Sequence, residues 1–181
     1  MKIAILSDIH DNIWNLRAAL AGLPPADALI CCGDLCSPFV VGLLAEGFPG
    51  RPIHVVFGNN DGDLYRITQN AARVGTVQLH GELFRGEFEG RRVLVNHYPE
   101  IALAIAASGE YDLVCYGHNH LYKIERVGAT LTVNPGAIMG YEPGGKREVS
   151  PTFVVYDTTT AEATSYRVVT DGASKTVTTL P

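Results

Sequence analysis

Apolar residues along this chain come in short blocks, separated at first by segments in which they recur every three or four positions. Residues 2–7, 27–32, 52–57, 92–96 and 112–116 read as strands. Between the early strands, Ile13, Leu16, Leu20 and Leu23 hold helical spacing behind a cap at Asp11, and Val40, Leu43 and Leu44 do so behind Ser37. Strand and helix in alternation predict a parallel sheet buried on both faces. The later half changes period. Residues 84–88 and 91–95 flank Glu89-Gly90 as a hairpin, 122–126 and 130–133 flank another turn, and 152–156 with 163–169 read as two more antiparallel strands. Residues 170–181 are small and polar without a period, which predicts a frayed tail.

The polar residues that carry chemistry stand where the apolar blocks stop. The five strands end in turn at Asp8-x-His10, Gly33-Asp34, Gly58-Asn59-Asn60-Asp61, Asn96-His97 and Gly117-His118-Asn119-His120. One aspartate after a strand is most often a helix cap, and one glycine is an ordinary turn residue. Five such endings at the same end of one sheet, four of the chain's six histidines among them, describe a site instead. Oxygen and imidazole donors without a thiolate suit Mn²⁺, Fe²⁺ or Zn²⁺. Seven donors exceed one tetrahedral site and suit two ions sharing a carboxylate.

Composition narrows the class. One domain over residues 1–181 is expected from the length, and an apolar share of 46% supports a real core. Charged residues make up 18% and the net charge is −5, so no basic field is available for non-specific nucleic-acid binding. The longest apolar stretches, 39–45 and 101–107, fall far short of a membrane span. Ser7 and Asp8 interrupt the first apolar block too early for a signal peptide, so a cytoplasmic protein is expected. Cys31 and Cys32 are adjacent on a strand and point to opposite faces, while Cys36 and Cys115 lie in unrelated segments. All four read as reduced, buried small side chains.

In this order the motifs resemble those of the calcineurin-like metallophosphoesterase superfamily, in particular its small single-domain bacterial and archaeal phosphodiesterases. Asn134-Pro135-Gly136 is similar to a further signature of that subgroup. The resemblance implies an α/β fold, a four-layer αββα sandwich of two mixed sheets flanked by helices. It implies that Asp8, His10 and His120 hold one metal, that Asn59, His97 and His118 hold the other, and that Asp34 bridges them. Mn²⁺ is the expected ion, with Fe, Zn or Ni as alternatives. The implied reaction is hydrolysis of a phosphate ester by a hydroxide shared between the ions, on a small-molecule or nucleotide substrate. Two divalent ions against two carboxylates and that hydroxide leave one net positive charge facing the phosphate. A homo-oligomer is common in the subgroup.

Three positions depart from the family pattern. Asn60 stands where many members carry a histidine, and it can donate a hydrogen bond but cannot release a proton at neutral pH. Phe57 replaces a frequent arginine, and Ala137 a frequent serine. Asn59 and Asn60 are therefore the candidate catalytic-loop residues, and Asn12, Asn60 and Tyr98 the candidate substrate contacts. Asn119 is expected to fix its turn, and His54 and His80 to be structural. The alternatives are a metal-dependent phosphomonoesterase and a non-catalytic interaction scaffold of the same fold, as in the retromer's metallophosphoesterase-like subunit.

Overall fold

A computed structural model of the chain describes residues 1–180; Pro181, the end of the expected frayed tail, lies outside them. The chain runs through β1 (Lys2–Leu6), α1 (Ile13–Ala21), β2 (Ala28–Cys31), α2 (Phe39–Gly47), β3 (Ile53–Val55), α3 (Leu64–Val74) and β4 (Val77–Leu79). It continues through β5 (Leu83–Phe88), β6 (Arg91–Asn96), α4 (Pro99–Ala106), β7 (Leu113–Cys115), β8 (Lys123–Val127) and β9 (Thr130–Asn134). Last come β10 (Tyr141–Glu142), β11 (Arg147–Glu148), β12 (Thr152–Asp157), β13 (Glu162–Asp171) and β14 (Ser174–Thr179). One sheet has the order β14-β13-β12-β1-β2-β3-β4, a second β5-β6-β7-β9-β8, and β10 pairs with β11 alone. Both large sheets are mixed. Strands β1 to β4 are mutually parallel with β12 antiparallel to β1, and β6, β7 and β9 are parallel with β5 and β8 antiparallel at the edges.

The pleat of β1 shows why the early strands read as unbroken apolar blocks. Ala4 and Leu6 pack with Leu16 and Leu20 of α1, Val40 and Leu44 of α2 and Ile67 of α3. Ile3 and Ile5 point the other way and meet Val93, Val95, Leu113 and Val133 of the second sheet. The parallel sheet is thus buried on both faces, by helices on one side and by another sheet on the other. The fourth layer is α4, whose Ala102 and Ala106 pack on Leu94, Val114 and Tyr116. The result is the four-layer α/β sandwich. Cys31 and Cys32 fall in different layers, as adjacent strand residues must.

Several expectations change. The five motif-bearing strands do not share one sheet: β1, β2 and β3 belong to the first, β6 and β7 to the second. Asn12, not Asp11, caps α1 by accepting from the Asn15 N–H, and Leu23 lies beyond the helix end. No side chain caps α2; Ser37 contributes its carbonyl, which accepts from Val40 N–H. The tail over residues 174–179 is not frayed, because β14 closes a hairpin on β13 from Asp171↔Ser174 to Tyr166↔Thr179. Gly172 takes the left-handed turn conformation, and Val177 packs against the helical layer, so close to Gly22 that a Cβ there would collide with it. One inward residue in a polar strand is too weak a period to read from sequence. No helix among the described residues is long and apolar enough to cross a membrane.

His54 and His80 close one edge of the sandwich. Their nitrogens lie 3.0 Å apart, and His54 stacks on Phe84 at 4.8 Å between ring centroids. Burial, with the neighbouring His80, pulls the His54 pKa down to about 4. The unfolded chain protonates this residue near 6.5 and the folded one does not, so stability falls as pH drops from about 6.5 to about 4. Discounted for partial exposure, the loss is about 1–2 kcal/mol. Denaturant midpoints measured across this range should fall less for His54→Phe than for the wild type, and equal losses would remove His54 as the cause.

Candidate metal centre

Each motif lies where the chain leaves its strand, and the turns of the first, second and fifth motifs are strained. Asp8, His10, Asp34, His118 and His120 all have φ between 43° and 73°, as do Asp11 and Cys36. A residue with a Cβ costs about 1–3 kcal/mol in this region, and such strain gathers where function demands a particular side-chain direction. Two glycines make the close approach possible. A Cβ on Gly58 would collide with Asp34 Oδ1 and His97 Nε2, and one on Gly117 with Ser7 Oγ and Asp8 Oδ2.

The turns deliver all seven predicted donors to one place. Asp34 Oδ2 lies 3.4 Å from both His10 Nε2 and His97 Nε2. Asp8 Oδ1 is 3.4 Å from His120 Nε2, and the Nε2 atoms of His10 and His120 are 3.1 Å apart. Asn59 Oδ1 is 3.2 Å from His97 Nε2 and 2.8 Å from His118 Nδ1. Two sets of donor atoms converge within 4.8 Å, Asp8 with His10 and His120, and Asp8 with Asp34 and His97. Asp8 belongs to both sets and Asp34 to the second only, although Asp34 Oδ2 also lies 3.4 Å from His10 of the first.

Asp8 and Asp34 are 0% and 1% exposed, and their ion-pair partners among the described residues are histidines alone. Burial by itself would raise the Asp8 carboxyl. Hydrogen bonds from His10 and His120 and the charge of His97 nevertheless hold it well below the usual carboxylate range. Asp34 is likewise lowered against its burial, by His97 and by Asn60. Burial opposes the charged form of His97 and His120, and the adjacent carboxylates raise both above the ordinary imidazole value.

The donor set fits divalent ions. His97 Nδ1–H donates to the Cys32 carbonyl (2.7 Å) and His120 Nδ1–H to the Tyr141 carbonyl (2.6 Å), which points both Nε2 atoms inward, where loss of their proton would free them to ligate. His118 N–H donates to both Asp8 oxygens at 3.2 and 3.1 Å. Asp8, Asp34, His97 and His120 are buried, the two imidazoles oriented from behind, while His10 is half-buried and Asn59 and His118 are exposed. Such oxygen and imidazole donors, with no lysine or arginine paired to them, are the chemistry that a Mn²⁺- or Zn²⁺-type ion completes.

The candidate substrate contacts divide. Asn60 donates from its backbone N–H to Asp34 Oδ1 (2.8 Å) and from Nδ2 to Asp34 Oδ2 (2.9 Å), so its amide steadies the carboxylate. Asn12 caps α1 and donates to the Met139 carbonyl at 2.9 Å, which engages both ends of its amide inside the protein. Tyr98 lies beside the centre, its ring 5.2 Å from that of His97 and 5.3 Å from that of His118. Asn119 accepts from Leu121 N–H and from Asn134 Nδ2, and Asn134 also donates to the Gly117 carbonyl, tying the 134–136 turn to the histidine loop.

Asp61 and Cys36, both visible in the sequence, take roles that the sequence did not assign them. Asp61 accepts from the N–H groups of Asp34, Cys36 and Gly58, at 3.1, 3.0 and 2.7 Å, and so holds two motif loops together. Its place in Gly58-Asn59-Asn60-Asp61 was visible, but its partners come from a loop 25 residues away. Cys36 Sγ is 3.5 Å from His10 Nδ1, and burial with the aspartates around it pushes the thiol up to about 12. It is a neutral neighbour of the site.

The family description "calcineurin-like phosphoesterase superfamily domain" matches residues 1–161. The chain is 30% identical to Phosphodiesterase MJ0936 of Methanocaldococcus jannaschii over 87% of its own length and 93% of that protein. A solved structure described as a novel archaeal phosphodiesterase superposes with a TM-score of 0.81 at 29% identity, covering 92% of this chain and 99% of that one. Vps29 of Entamoeba histolytica, solved with Zn²⁺, shares the fold at a TM-score of 0.69 and 19% identity, covering 99% and 98% of the two chains. From the motifs, the converging donors and these matches, the chain belongs to the calcineurin-like phosphoesterase superfamily.

Proposed function

We propose that the chain is a metal-dependent phosphodiesterase acting on a small or nucleotide phosphodiester, with a centre for two divalent ions, Mn²⁺ first and Fe, Zn or Ni as alternatives. Asp8, His10 and His120 would hold one ion, Asn59, His97 and His118 the other, and Asp34 would serve both. The observation that carries this reading is Asp34 Oδ2, equidistant at 3.4 Å from a histidine nitrogen of each set. Ions bound there supply Lewis-acid charge to the phosphoryl group and its attacking water.

The chain's own residues do the rest. The Cys32 and Tyr141 carbonyls aim His97 and His120, and Asp61 locks the loops of Asp34 and Asn59. Asn60 holds Asp34 and has no proton to release at neutral pH, so a leaving oxygen departs without an acid from this position. A site with no arginine or lysine at its centre favours the singly charged diester over a dianionic monoester. The test is to load purified protein with Mn²⁺ and assay bis- and mono-aryl phosphates in parallel. Diester turnover that stops on chelation is expected; monoester preference, or no turnover with verified metal, would overturn the reading.

Asp34→Asn should bring turnover below a tenth of wild type and lower the bound metal measured by elemental analysis. Retention of both would remove the shared-ligand role. Metal at a hundredfold excess over Kd should add about 2.7 kcal/mol to stability. For a chain of this size that raises the melting temperature by about 5–10 °C, and an unchanged midpoint after verified metal removal would favour a scaffold. With no acid at Asn60, log kcat/KM should fall steeply as leaving-group pKa rises. Asn60→His should flatten that line, by up to the roughly 10²–10⁴-fold typical of general acids, and parallel lines for the two proteins would show that another group supplies the proton.

A further inference from the structure

Every large apolar side chain that is exposed among the described residues follows one of the five motifs. Trp14, Phe39, Leu64, Tyr65 and Ile101 lie in the first turns of α1 to α4, and Leu121 and Tyr122 directly follow His120. Exposed apolar side chains thus stand on the segments that leave the motif turns, where a recognition surface for the centre's ligand would lie. Trp14 is the most telling member. Helix α1 is anchored by Asn15, Leu16, Ala19 and Leu20, so the indole, 68% exposed, adds nothing to that buried face.

Trp14 lines a groove of about 400 Å³, together with Asn12, Gly140, Val149, Pro151, Glu148 and Lys175. Its size lies in the range of about 300–1,000 Å³ usual for small-molecule sites. The groove is tied to the centre through its own lining. Gly140 stands between Met139, whose N–H donates to the Asp8 carbonyl at 2.9 Å, and Tyr141, whose carbonyl accepts from His120 at 2.6 Å. Asn12 follows the Asp8 turn directly. The lining offers an aromatic face, one ammonium and one carboxylate, a mixture suited to a flat heterocycle bearing hydrogen-bonding edges.

We propose that this groove is a subsite for the nucleobase of a nucleotide-bearing phosphodiester, with the Trp14 indole as its stacking platform. The inference rests on the phosphodiesterase reading of the adjoining centre and names its substrate class. Stacking on an aromatic side chain tolerates any base, and its loss lowers affinity by about 5- to 150-fold.

Trp14 is the chain's sole tryptophan, so its emission reports on the groove directly. Adenosine 5′-monophosphate and ribose 5-phosphate are titrated into zinc-loaded and chelator-treated protein, and KM and kcat for thymidine 5′-p-nitrophenyl phosphate are compared in wild type, Trp14→Phe and Trp14→Ala. Saturable quenching by the nucleotide and none by the sugar phosphate is expected. Trp14→Ala should raise KM about tenfold while kcat changes less than about twofold, with most of the affinity regained in Trp14→Phe. Absent quenching beside intact diester hydrolysis overturns the subsite and leaves the phosphodiesterase reading standing. Quenching in a protein that hydrolyses no diester supports the groove and overturns that reading instead. Emission that ignores the nucleotide and shifts with protein concentration assigns the face to a second copy of the chain and overturns the proposal.

Discussion

Asp8 and Asp34 are carboxylates shut away from water, and neither has a lysine or arginine within ion-pair distance among the described residues. An isolated buried charge costs several kcal/mol, so donors must be brought to it from elsewhere in the fold. They come from four of the five motifs. The His118 N–H and the His120 ring reach Asp8, the Asn60 amide and the His97 ring reach Asp34, and the His10 ring lies 3.4 Å from Asp34 and 3.8 Å from Asp8. Both carboxyls are held low enough to stay ionised, which is the state a divalent ion needs.

That requirement explains the backbone around them. Side chains leaving a regular strand end would diverge, whereas the left-handed residues Asp8, Asp34, His118 and His120 turn theirs back toward a common point. Gly58 and Gly117 clear the space that a Cβ would fill. The strain and the buried charge are offset by the rigid sandwich beneath, where β1, β2, β6 and β7 are buried on both faces.

Orientation is supplied by atoms that no side-chain motif encodes. The Cys32 carbonyl and the Tyr141 carbonyl each fix one imidazole from behind, and the second belongs to the two-stranded β10-β11 hairpin, far along the chain from His120's own strand. Asp61 plays the same part for backbone N–H groups, joining the loops after β2 and β3. The centre is therefore a meeting of two sheets and one small hairpin.

The sequence by itself determined which residues meet, because strand ends and their polar endings are local: Asp8, His10, Asp34, Asn59, His97, His118 and His120 each stand directly after an apolar block. It also determined the mixed α/β class, since strand and helix periods are visible over a few residues, as in β1 and α1 or the Glu89-Gly90 hairpin. It could not show that the motif strands divide between two sheets, because pairing of β1 with β12 or of β7 with β9 depends on partners distant in the chain. Nor could it show β14, whose one inward residue, Val177, gains its meaning only from the helix it covers. Asn60 shows the same division. Its inability to give up a proton follows from its chemistry alone, but that its amide is engaged by Asp34 was decided by the tertiary structure, which brings together two loops 26 residues apart.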